Sequence, residues 1–66
     1  MKLFVWQGDG VLQDWTSGIM VVLANDIQQA REVLVSAFGY EPMGLDLEPQ
    51  VFEVDKPIAF YEWGGG

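Results

Sequence analysis

Two carboxylate pairs, Asp46/Glu48 and Glu53/Asp55, carry the clearest chemical spacing in the chain. Acids at i and i+2 point the same way on an extended segment, which suits a hard cation or general acid–base work. Neither pair has the glycine and extended ligand series of a calcium loop. No second general base or oxyanion donor stands beside them. Cysteine and histidine are both missing from the 66 residues. That excludes thiolate nucleophiles, disulfide staples and the usual zinc ligand sets, and removes the side chain whose ordinary pKa lies near neutrality. The Gly8-Asp9-Gly10 run lacks the third glycine and the following helix of a nucleotide-binding fingerprint. The expectation is a non-enzyme with no catalytic residue, no metal and no cofactor.

Charge points to a different use for the acids. Ten Asp and Glu stand against three Lys and Arg, a net charge of −7. The excess lies late in the chain: Glu41, Asp46, Glu48, Glu53, Asp55 and Glu62 face only Lys56. Such a surface repels nucleic acid and anionic membranes and attracts basic protein surfaces; acid for solubility alone is the plainer reading. Carboxylates accept forked hydrogen bonds from Arg and attract Lys, as phosphates do. Asp14 and Trp15 add an acid and an aromatic anchor, although Trp15 also suits a lid on the edge of the core. The expected partner-binding set is Asp46, Glu48, Glu53, Asp55, Glu62, Glu41, Asp14 and Trp15. Aromatic residues without a basic groove argue against direct nucleic-acid binding.

These residues need a scaffold, and hydrophobic patterning outlines one. Residues 2–7 alternate as a strand, with Leu3 and Val5 on one face and Phe4 and Trp6 on the other. Gly8-Asp9-Gly10 reads as a turn, followed by an ordered loop pinned by Leu12 or Trp15. Residues 19–24 form a second strand, apolar on both faces. Asn25, with Gln28 three positions on, signs the start of a helix that stops at Gly39. Its apolar stripe is expected to hold Ile27, Ala30, Leu34 and Phe38, flanked by Val33 and Ala37. Residues 40–50 read as a loop whose Met43, Leu45 and Leu47 tuck under the helix end. Residues 51–55 alternate less cleanly, and Pro57 marks a strand start, edge or bulge. The last strand is expected at residues 58–63.

Connection rules then predict an α+β fold. It is a small ββαβ unit, a three-stranded, mainly antiparallel sheet of order 2-1-3 with one helix on one face. The single domain spans residues 1–63, ahead of a flexible glycine tail at 64–66. The uncovered sheet face would be apolar, which marks an interface. The short KLFVW run has no small-residue cleavage site, and the apolar run at 19–24 cannot cross a bilayer. A cytoplasmic chain is expected.

A chain of this size and charge, opening KLFVW and continuing WTSGIMVVLANDIQQAREVL, resembles small phage-encoded anti-CRISPR proteins. It is most similar to inhibitors of multisubunit type I surveillance complexes. The resemblance implies a non-enzymatic inhibitor made in the cytoplasm of an infected bacterium. Acidic members of that class resemble DNA and block target-DNA binding to the effector complex. They share no motif, so no catalytic residue carries over. The rival reading is a homo-oligomeric structural or regulatory module, with the uncovered sheet face as its dimer interface.

Overall fold

The alternation in the first strand sets the layering of the molecule. A computed structural model of the chain describes residues 1–13 and 17–61. Its elements run β1 (Lys2–Asp9), β2 (Ser17–Ala24), α1 (Ile27–Phe38) and β3 (Gln50–Glu53). β1 lies at the centre of a sheet of order β2-β1-β3. Both neighbours are antiparallel to it, so β2 and β3 run parallel to each other and α1 lies in the crossover between them. The expected α+β architecture and strand order are those of the protein. No helix among the described residues is long and apolar enough to cross a membrane.

One face of the sheet carries Phe4 and Trp6 of β1 beside Met20, Val22 and Ala24 of β2, all buried. Ala30, Val11 and Leu45 complete this core, with Leu12, Ile27, Leu34 and Val35 packed around it. The loop after β1 is pinned by Val11 and partly by Leu12; Trp15 lies outside the described residues. Gly8 and Asp9 belong to β1 rather than to a turn.

The third strand differs from the expectation. Gln50–Glu53 pairs with β1, with Phe52 opposite Leu3 and Glu53 opposite Lys2. Residues 57–61 form no strand, and residues 62–66 lie outside the described residues. Pro57 cannot donate to a ladder, and residues 50–53 are already delivered beside β1. The later segment lies across the second face of the sheet. There Phe60 meets Phe52 edge to face, with centroids 5.0 Å apart, and Gln7 Nε2 donates to Tyr61 O at 3.1 Å. The second face is thus partly covered. Val5 on it is only 1% exposed, whereas Ile19, Val21 and Leu23 of β2 remain open.

The helix begins one residue later than expected. Asp26, not Asn25, is the N-cap: its Oδ1 accepts from Gln29 N at 2.8 Å. Gln29 Oε1 reaches back to accept from Asn25 N at 2.7 Å. The sequence offers two overlapping boxes, and the charged oxygen of Asp26 makes the stronger bond while facing the positive end of the helix dipole. Gly39 closes the helix at φ +104°, its N–H donating to Val35 O. The buried stripe is also rotated. Ile27, Ala30 and Leu34 pack inward as expected, but Val33, Ala37 and Phe38 are exposed and Val35 takes a place against the core. Phe38 meets Tyr40 edge to face instead, at 4.9 Å.

Asp26→Ala should therefore cost about 0.5–2 kcal/mol, while Asn25→Ala should stay within about 0.5 kcal/mol of the parent. Thermal melts of the two variants give the comparison. An equal loss from both would place the cap elsewhere.

Candidate functional site

The loop between α1 and β3 has no ladder to hold it, so its shape depends on donors from elsewhere. Two successive turns fold it, through Leu45 N to Pro42 O and Leu47 N to Gly44 O. Arg31 then clamps it to the helix. Its Nε donates to Leu45 O at 3.0 Å and its Nη2 to Leu47 O at 3.3 Å. Trp6 Nε1 donates to the same Leu47 carbonyl at 2.8 Å, and Leu12 N donates to Met43 O at 2.9 Å. Leu45 is buried as expected, but Met43 and Leu47 keep exposed side chains and contribute their carbonyls.

Docked in this way, the loop and α1 enclose an open groove of about 630 Å³. Val35 and Leu45 give it an apolar wall, while Glu32, Glu41 and Asp46 bring three carboxylates to it. Arg31 also borders the groove, with its guanidinium already bonded to the two loop carbonyls. Glu32, Glu41 and Asp46 are all exposed at their own positions. The arrangement matches a ligand that is both apolar along its length and cationic at its tip, such as a Lys or Arg side chain.

The expected binding residues divide between separate places. Glu41 and Asp46 come together in the groove. Glu48 is exposed but does not line it. The i, i+2 argument fails for this pair because Asp46 sits in a turn rather than an extended segment. It fails for the other pair as well, since β3 ends at Glu53 and Asp55 lies in the turn beyond. Glu53 stands opposite Lys2 across the sheet. Asp14, Trp15 and Glu62 lie outside the described residues. Glu32 was not expected in the set, because its place on the polar side of the helix signals only solvation. Its signal is the helical neighbourhood: Val35 and Ser36, three and four residues on, share its face and line the same groove. Among the described residues no group of three or more acids is placed to hold a metal ion.

No family model matches the chain, and no curated protein or solved structure matches it.

Removing the clamp should loosen the loop before it harms the sheet. Arg31→Met keeps an apolar stem but leaves Leu45 O without its donor, a loss of about 1–3 kcal/mol. Amide exchange should rise first at residues 43–47. Unchanged exchange there would show that the bonds from Trp6 and Leu12 hold the loop without Arg31.

Proposed function

We propose that the chain is a non-enzymatic acidic inhibitor that binds a basic, DNA-binding protein surface and keeps DNA from it. The target that the resemblance implies is a bacterial CRISPR surveillance complex, met in the cytoplasm of an infected host. One observation carries the reading: Glu32, Glu41 and Asp46 line a single groove with an apolar wall, beside a cation already engaged by the loop. Surfaces that hold phosphates are rich in Arg and Lys, and both side chains present an aliphatic stem below a charged head. The stem fits against Val35 and Leu45, and the head reaches Glu32, Glu41 or Asp46. The net charge of −7 supplies attraction at longer range and a faster encounter.

Glu53 and Asp55 then serve as general field rather than as groove contacts. Glu41→Lys with Asp46→Lys should weaken binding to the surveillance complex by about tenfold or more, and restore target-DNA binding in a competition assay. Glu53→Lys with Asp55→Lys should act mainly through the salt dependence of association. If the first pair were silent while the second abolished binding, the groove would not be the contact surface. Binding that ignored both pairs and added salt would sink the reading.

A further inference from the structure

The two edges of the sheet are built differently. β3 is four residues long, ends on Glu53, and is followed after Val54 by Asp55, Lys56 and Pro57. Short length, charge and proline are the devices by which natural sheets keep an edge from pairing with another chain. β2 has none of them. It runs for eight residues, SGIMVVLA, without a charge or a proline, and among the described residues its only sheet neighbour is β1. Its outward side chains are apolar and open: Ile19 is 41% exposed, Val21 46% and Leu23 50%.

We infer that β2 pairs antiparallel with β2 of a second copy, joining two sheets into one of six strands. The charge distribution selects this occupant. A chain of net charge −7 repels its own copies over most of its surface, but Ser17–Ala24 adds nothing to that repulsion. A basic partner, by contrast, gains no attraction from an uncharged strand. An antiparallel strand is also complementary to itself about a twofold axis, as an isologous dimer requires. An axis beside Val21 sets Val21 against Val21 and Ile19 against Leu23 of the second copy. Every open side chain of the strand then faces an apolar counterpart, and the edge's backbone groups that no described strand pairs find partners.

The inference is independent of the proposed function, because it uses neither the groove nor its acids. Sedimentation equilibrium of the whole chain, diluted from millimolar concentration, should show a reversible dimer. Val21→Lys should raise its dissociation constant by about tenfold or more, while Val51→Lys on the opposite edge should leave it unchanged. Val51 is a matched control, being 49% exposed. Circular dichroism checks that each variant is folded. Amide exchange of the unmodified chain gives a second reading that needs no variant: protection of β2 should fall on dilution while that of β1 holds. A monomer throughout the concentration range would overturn the inference. So would a dimer indifferent to Val21→Lys, or β2 protection that ignores dilution. Glu41→Lys with Asp46→Lys should leave the dimer intact, so failure of the groove and failure of the edge are separable.

Discussion

A single carbonyl, that of Leu47, ties the three parts of the molecule together. It accepts from the indole of Trp6 at the centre of the sheet and from the guanidinium of Arg31 on the helix. Trp6 is 1% exposed, and a buried indole N–H needs an acceptor. The segment from helix to third strand has carbonyls to offer because it forms no ladder. Each side satisfies the other. The result fixes where the chain re-enters the sheet, and so which residues become β3. It also places Glu41 and Asp46 along the groove that the loop forms with the helix. In a chain of 66 residues without cysteine, these side-chain-to-backbone bonds stand where a small domain often uses a disulfide.

Close packing around Val11 supports the same loop from the other side. Gly44 has φ +93°, and a Cβ built there would lie 2.6 Å from Gly10 O. A Cβ on Gly18 would meet the Val11 carbonyl. Gly44 lets the helix–strand loop approach the β1–β2 connection backbone to backbone, and Gly18 lets β2 close on the same connection, where the Val11 side chain is buried in the core. Gly44 could not be assigned this task from a turn pattern, since the demand comes from a distant segment.

What was legible in the sequence depended on side-chain period; what was not depended on backbone partners. The short apolar runs at residues 3–6 and 19–24, and the helical stripe from Ile27 to Gly39, were enough for two strands, a helix and their order. The cap slipped by one residue because Asn25-x-x-Gln28 and Asp26-x-x-Gln29 satisfy the same pattern and only charge separates them. The third strand was misplaced because VFEV looks weaker than IAFYEW by composition, while position beside β1 decides pairing. The groove was half visible. Glu41 and Asp46 are marked by charge, but Arg31 and Glu32 fall outside the apolar stripe of the helix, and nothing in the pattern says that a loop carbonyl will capture a guanidinium. The i, i+2 pairs failed because the turns at 43–47 and 54–56 remove the extended geometry on which that spacing relies.

The acids and the apolar edge occupy different elements, and salt acts on them with opposite sign. The groove contacts proposed with a basic surface would be attractions between exposed charges, which added salt screens beyond about 10 Å at 0.1 M. Pairing through β2 involves no charge of its own, but it brings together two chains that each carry −7. Screening therefore weakens the repulsion that opposes it, while the apolar and backbone contacts remain. Raising salt should release a basic partner and favour self-association at once. Solubility acid spread over an inert surface would produce the second effect without the first, and that difference distinguishes a working acidic groove from a merely charged protein.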